Sequence, residues 1–272
     1  MIKMIAVDMD GTFLDDAKQY NRERFAHQYR ELKARGIYFA VASGNQYYQL
    51  LSFFPELADE ISFVAENGAW VIGEGVELFC GAFSRENVTA ILHELDALPA
   101  ITPVICGKQS AWVNENVSSD LLKLMSRHYH RLQKISDPYA INDTLFKFSL
   151  NLPDQDIPAL LEHFGHALDG IARPVSSGFG FVDLIIPGVH KAHGLSLLQQ
   201  HFGIEDNQVL AIGDSGNDAE MLAQAGFSFA MENAQPQIKK IARYQAGNNN
   251  QEGVLAVIDR VLAAQYPFGH EA

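Results

Sequence analysis

Two aspartates one residue apart, Asp8 and Asp10, close the apolar run Met4-Ile5-Ala6-Val7 and are followed by Gly11-Thr12. Successive strand side chains face opposite ways, but past the strand's end the chain turns, so both carboxylates can converge on one point. Two carboxylates meeting there repel unless a cation sits between them. Hard oxygen donors of this kind suit Mg²⁺, which takes one or two protein carboxylates together with substrate phosphate and water. An ionised Asp beside such a metal can attack phosphorus and form an aspartyl-phosphate. A surface turn remains the alternative for these nine residues taken alone, since Asp and Gly are common turn residues.

Hydrolysis of a phosphate ester needs a metal, a nucleophile, a proton donor and groups that hold the phosphoryl oxygens. Asp8 fits the nucleophile. Asp10 fits the general acid for the leaving oxygen, and then the base for the water that cleaves the aspartyl-phosphate. Gly213-Asp214-Ser215-Gly216-Asn217-Asp218 supplies two more carboxylates directly after a buried-type strand. Asp214 would complete the Mg²⁺ ligands, with Asp218 a further ligand or the partner that orients one. Ser43 and the backbone N–H groups of Met9 and Gly44 are candidate donors to phosphate. Lys191 follows the Pro187-Gly188 turn and opens a helical stretch, where the helix terminus adds partial positive charge. A solvated lysine at a helix start is the competing reading of that residue.

These residues must be positioned by strand ends. Short apolar runs stop at polar clusters in Ile37-Tyr38-Phe39-Ala40-Val41-Ala42 before Ser43-Gly44-Asn45, and in Ile61-Ser62-Phe63-Val64-Ala65 before Glu66-Asn67-Gly68. The pattern recurs in Val209-Leu210-Ala211-Ile212 before Gly213, and in Phe227-Ser228-Phe229-Ala230-Met231 before Glu232-Asn233. Such runs suit strands of a parallel sheet buried on both faces. Helical patterns over 21–35, 192–201, 218–225, 236–243 and 253–263 alternate with them, which predicts a doubly wound α/β domain. In such a sheet the ligand lies beyond the carboxyl ends of the strands. The middle of the chain differs. Phe146-Lys147-Phe148-Ser149-Leu150-Asn151-Leu152 alternates cleanly, predicting a strand with one face in a core and one wet. Phe181-Val182-Asp183-Leu184-Ile185-Ile186 reads as a second strand, and helices near 118–132 and 154–168 would cover one face. Residues 83–187 therefore read as an α/β domain with an antiparallel sheet, inserted into a core formed by 1–82 and 188–272.

The 272 residues exceed one comfortable core, and 47% hydrophobic with 19% charged residues is ordinary for a soluble globular chain. A net charge of −13 argues against a general nucleic-acid binder and requires local positive charge to draw in an anion. Cys80 and Cys106 have no metal or redox spacing and suit free thiols in a reducing compartment. The N-terminal apolar run is too short for a signal peptide, and no long apolar run occurs, so cytoplasmic residence is expected.

Asp8-Met9-Asp10-Gly11-Thr12, Ser43, Lys191 and Gly213–Asp218 resemble the four ordered motifs of haloacid-dehalogenase-type phosphatases. The insertion between the second and third motifs resembles the Cof-type branch with its α/β cap. The likeness runs nearly end to end and is greatest to bacterial sugar phosphatases, through Ala42-Ser43-Gly44-Asn45-Gln46-Tyr47-Tyr48 and Leu145-Phe146-Lys147-Phe148-Ser149-Leu150-Asn151. The resemblance implies Mg²⁺-dependent hydrolysis of sugar phosphates through an aspartyl-phosphate. It implies Asp8 as nucleophile and metal ligand, Asp10 as acid/base lending its backbone carbonyl to the metal, and Asp214 as carboxylate ligand. Thr12, Ser43, Gly44, Lys191 and Asn217 would surround the phosphoryl group or its anchor. Phe13 stands where Leu is frequent and reads as packing; Glu232 stands where a small residue is common and would add negative charge at the rim.

The expected partner is a small sugar phosphate, with the inserted domain closing over the leaving group. Asn45, Tyr47 and Asn67 are candidate contacts to sugar hydroxyls, and transfer of phosphoryl to a second sugar is a conceivable side reaction. Gly178-Phe179-Gly180-Phe181 precedes a strand, so it reads as an aromatic turn near the substrate and not as a dinucleotide fingerprint. No nucleic-acid, membrane or protein partner is legible. His128 and His130 point to different helix faces, and His190 with His193 lacks partners at zinc spacing. The rival readings are a nucleotide or vitamin-phosphate (pyridoxal phosphate) phosphatase with the same core, and a phospho-accepting receiver. The receiver reading leaves Asp10 and the insertion without a role.

Overall fold

The computed structural model describes residues 1–151, 157–178 and 180–269. The chain begins with β1 (Met4–Val7), α1 (Arg22–Ala34), β2 (Tyr38–Ala42), α2 (Tyr47–Phe53) and β3 (Ser62–Ala65), then a hairpin of β4 (Trp70–Gly73) and β5 (Val76–Cys80). The middle contributes α3 (Arg85–Asp96), β6 (Pro103–Gly107), β7 (Ala111–Asn114), α4 (Ser119–His128), β8 (Leu132–Ile135), β9 (Leu145–Asn151), α5 (Ile157–Ala167), β10 (Arg173–Gly178) and β11 (Phe181–Ile185). The remainder gives α6 (Lys191–Phe202), β12 (Val209–Gly213), α7 (Ala219–Gln224), β13 (Phe227–Ala230), α8 (Pro236–Ile241), β14 (Tyr244–Gln245) and α9 (Gly253–Leu262).

The first sheet runs β14-β13-β12-β1-β2-β3-β4-β5. It is parallel from β14 to β3, as the buried apolar runs predict, and antiparallel at β4 and β5. Helices cover both faces. Phe39 of β2 meets Phe25 of α1 with ring centroids 4.8 Å apart, while its neighbour Tyr38 stacks on Phe202 of α6 at 4.0 Å. Helix α1 starts where the capping residue Asn21 accepts the Arg24 N–H at 3.0 Å and buries Phe25, Tyr29 and Leu32. Val7 lies in register with Val41 on one side and Ile212 on the other. Asp8, Ser43 and Gly213-Asp214 therefore leave the sheet side by side.

The second sheet runs β10-β11-β9-β6-β7-β8 and is antiparallel except where β7 meets β8 in parallel. Its two faces correct two expectations. Ile105, Phe148, Leu150, Val182 and Leu184 pack with residues of α3 and α5, whereas Val104, Cys106 and Val113 pack with Met125 and Tyr129 on and beside α4. Because side chains alternate across a sheet, α4 lies on the face opposite α5, and the two helices do not share one face. The alternate residues Lys147 and Ser149 are 3% exposed each, not wet. They line a cavity against the first sheet's loops. The 118–132 helix also stops at His128, and Leu132 instead opens β8. Residues 152 and 154–156 of the expected strand and helix lie outside the described residues, as does Phe179.

Candidate active site

The loops that follow β1, β2 and β12 meet at the floor of a cavity of about 440 Å³. Asp8 is buried, and its Oδ1 accepts from Lys191 Nζ at 2.8 Å. The same ammonium donates to Asp218 Oδ1 at 2.6 Å. Asp218 Oδ2 in turn accepts the backbone N–H groups of Asp214 (2.9 Å) and Ser215 (3.0 Å), which clamps the loop. Thr12 Oγ donates to Asp214 Oδ1 at 2.8 Å. Lys191 is thus a buried ammonium at the start of α6, not a solvated residue. Its placement depends on Gly68, whose φ of +96° brings the backbone against the His190 carbonyl, where no side chain fits.

Gly11 is required for a similar reason. Its φ is +75°, and a Cβ there would stand 2.8 Å from Asp214 Oδ2. Asp10 lies nearer the mouth, with Oδ2 accepting from Asn45 Nδ2 at 2.6 Å and Oδ1 paired with Lys18 Nζ. Ser43 Oγ accepts the Asn45 N–H at 3.1 Å. Asn217 Nδ2 donates to Asn67 Oδ1 at 2.8 Å, and Asn67 Nδ2 to Asp183 Oδ2 at 2.7 Å.

Carboxylate oxygens of Asp8, Asp214 and Asp218 can all lie within 4.8 Å of one another. Burial first, and then the Asp218 charge, hold the Asp8 carboxyl well above the usual carboxylate range, against the pull of Lys191. The same two causes push Asp214 up to about 7, with the Thr12 hydrogen bond opposing. Burial disfavours the Lys191 charge, but Asp218 and Asp8 outweigh it and keep the ammonium protonated. Three carboxylates against one ammonium leave surplus negative charge. A hard divalent cation matches that donor set, so the residues fit Mg²⁺.

The structure brings together Asp8, Asp10, Thr12, Ser43, Gly44, Asn45, Lys191, Asp214, Asn217 and Asp218. The Met9 side chain is buried in the first sheet's core. Tyr47 packs on Phe63 and Trp70 and does not line the cavity. Asn67 lies beneath the floor as a link between loops. Glu232 is exposed and is not part of the lining. Phe13 packs among Tyr20, Phe25, Phe39 and Phe54, as expected. Sequence reasoning missed Lys147, Ser149, Asn151 and Asp183, which line the wall from the second sheet, with Phe181, His128 and Leu124 at its apolar side. The polar phase of the alternating strand was the signal for Lys147, Ser149 and Asn151.

The sequence pattern of the haloacid dehalogenase-like hydrolases matches residues 5–258. The chain belongs to that family, as a phosphatase of its Cof-type branch. The 5-amino-6-(5-phospho-D-ribitylamino)uracil phosphatase YbjI of Escherichia coli (strain K12) is 52% identical, over 98% of each chain. A phosphatase named for the same activity, YitU of Bacillus subtilis (strain 168), is 25% identical over 92% of this chain and 94% of its own. The solved structure of SMU.1108c from Streptococcus mutans UA159 superposes with a TM-score of 0.92 at 32% identity, covering 97% of this chain and all of that one. The family match removes the receiver reading. The relative at 52% identity is named for a phosphoribitylamino-pyrimidine and not for a sugar phosphate. Among the described residues no helix is long and apolar enough to cross a membrane.

Proposed function

We propose that the chain hydrolyses phosphate monoesters of small polyol-bearing metabolites through an aspartyl-phosphate on Asp8, with 5-amino-6-(5-phospho-D-ribitylamino)uracil the favoured ester. The observation that carries this reading is the buried Lys191 ammonium between Asp8 and Asp218 beneath the cavity. The name of the 52% identical relative supports the substrate. That ester ends in a phosphorylated open-chain pentitol. Hexose and pentose phosphates, the expectation from sequence, present a similar hydroxylated end and form the second reading.

In this mechanism Lys191 holds Asp8 Oδ1, and the other carboxylate oxygen attacks phosphorus. The phosphorus–oxygen bond to the leaving group breaks as that oxygen takes the proton from Asp10. Asp10 then accepts a proton from water, whose oxygen displaces the Asp8 carboxylate and frees phosphate. A sugar hydroxyl in place of water would give phosphotransfer. Ser43, the Gly44 and Met9 N–H groups and Asn217 hold the phosphoryl oxygens. Asp8, Asp214 and the Asp10 carbonyl would hold Mg²⁺, which when bound neutralises phosphoryl charge. Both Asp218 oxygens are already engaged, so Asp218 serves as the partner that orients Lys191 and the Asp214 loop. Residues 83–187 act as the cap on a catalytic core of 1–82 and 188–272, with Lys147, Ser149 and Asn151 toward the leaving group. The free thiols Cys80 and Cys106 agree with cytoplasmic residence.

Phosphate release across the ribitylamino ester, pentose and hexose phosphates, nucleotides and pyridoxal phosphate, with Mg²⁺ and with chelator, tests the reading. Asp8→Asn is the blank. The expected result is chelator-sensitive release with kcat/KM at least ~10-fold higher for the ribitylamino ester than for nucleotides. Release confined to nucleotides or to pyridoxal phosphate overturns the substrate; equal turnover by Asp8→Asn overturns the nucleophile.

A further inference from the structure

Two side chains of the second sheet reach into the loops proposed to hold phosphate. Lys147 of β9 is 3% exposed, and its Nζ donates to the Gly44 carbonyl while lying 3.3 Å from Asp183 Oδ2 and 3.5 Å from Glu66 Oε2. Asp183 of β11, 1% exposed, accepts from Asn67, which is bonded to Asn217. The Asn67 N–H also donates to the Ser43 carbonyl at 3.0 Å. One ammonium–carboxylate pair thus touches the Ser43–Asn45 loop directly and reaches the loop carrying Asn217 through Asn67.

We propose that Lys147 and Asp183 are positioning residues. Resting on the function proposed above, they set the phosphate-holding loops in working geometry when the cap is closed and release them when it opens. The Gly44 carbonyl that Lys147 holds belongs to the peptide whose N–H, on Asn45, donates to Ser43 Oγ. The Asn45 side chain in turn donates to Asp10 Oδ2. Rotation of that peptide therefore moves both the phosphate donor and the support of the acid/base. There is little slack, because a Cβ at Gly44 would stand 3.1 Å from Asn67 Oδ1 and 3.3 Å from Asp183 Oδ2. Buried charges are stable only when paired and hydrogen-bonded. Lifting the cap would return Lys147 and Asp183 to water and leave Gly44 and Asn67 without their partners.

The competing role is direct recognition of leaving-group hydroxyls, since both residues also line the cavity. Asp183→Asn and the double variant Lys147→Met/Asp183→Asn separate the two. The double variant removes one charge of each sign, and its fold is checked by circular dichroism. kcat/KM is measured for p-nitrophenyl phosphate, which carries no hydroxyl, and for the ribitylamino ester or the best polyol phosphate. Inhibition by orthovanadate, which has no leaving group, is measured alongside.

The expected result is a loss of about 10–100-fold, equal for both esters, with vanadate inhibition weakened by a similar factor. Loss confined to the polyol ester, with vanadate inhibition unchanged, overturns the positioning role while leaving the proposed function intact. So do variants as active as the wild-type chain. A wild-type chain inactive on every ester overturns both.

Discussion

Glu66→Gln should stabilise the protein above neutral pH. Glu66 is buried against Lys147 and Asp183, so the cluster holds two carboxylates for one ammonium, and Glu66 Oε2 makes no hydrogen bond. Burial pushes its carboxyl from 4.5 up to about 7, with Lys147 opposing and Asp183 adding to the rise. Below pH 4.5 the group is protonated in both folded and unfolded chains and costs nothing. Between pH 4.5 and 7 the folded chain retains a proton that the unfolded chain has lost, so stability falls across that window and levels off once the folded chain loses the proton too. A rise of about 2.5 units corresponds to about 3 kcal/mol, fully expressed above pH 7. Gln removes the surplus charge, and Lys147 keeps Asp183. Urea midpoints for the wild-type chain and Glu66→Gln, measured from pH 4.5 to 8.5 at fixed Mg²⁺, should diverge as pH rises, with the variant ahead by about 3 kcal/mol at the top. A difference independent of pH, or a variant weaker at pH 8.5, would refute the argument.

Lys191→Met strands two buried carboxylates, Asp8 and Asp218, and should cost about 3–5 kcal/mol in chelator while removing turnover, read from urea midpoints and phosphate release. Gly11→Ala forces a Cβ into a left-handed backbone against Asp214, so about 1–2 kcal/mol of stability and part of the Mg²⁺ affinity should be lost in calorimetric titrations. Mg²⁺ at 100 times its Kd should add about 2.7 kcal/mol to stability, and Asp214→Asn should abolish that gain in thermal melts.

Much of the core was legible because its signals are local. Asn21 before Phe25, Tyr29 and Leu32 marks a capped amphipathic helix, and apolar runs that stop at Asp8, Ser43 and Asp214 mark strand ends. The hairpin of β4 and β5 was not legible, since Trp70 and Val71 continue an apolar texture that is silent on direction. Lys147 shows a different limit. Its place in an alternating strand revealed which face is polar, but not whether that face meets solvent or another sheet. The same gap explains α4, whose apolar stripe fits either side of the second sheet. Period reports an element's two faces; only tertiary packing decides what each one meets.

The β1 strand lies between β2 and β12, and the Thr12–Asp214 bond joins positions 202 residues apart. During synthesis, β1 and β2 leave the ribosome long before the strand that seals their other side. The intervening 83–187 segment, with its own sheet and apolar clusters, can fold while β1 still waits as an open edge. A nascent chain released before residue 214 would carry Asp8 without Asp214 beside it and a β1 edge able to pair with other chains. The enzyme's chemistry and its protection from aggregation are therefore completed by the same late strand.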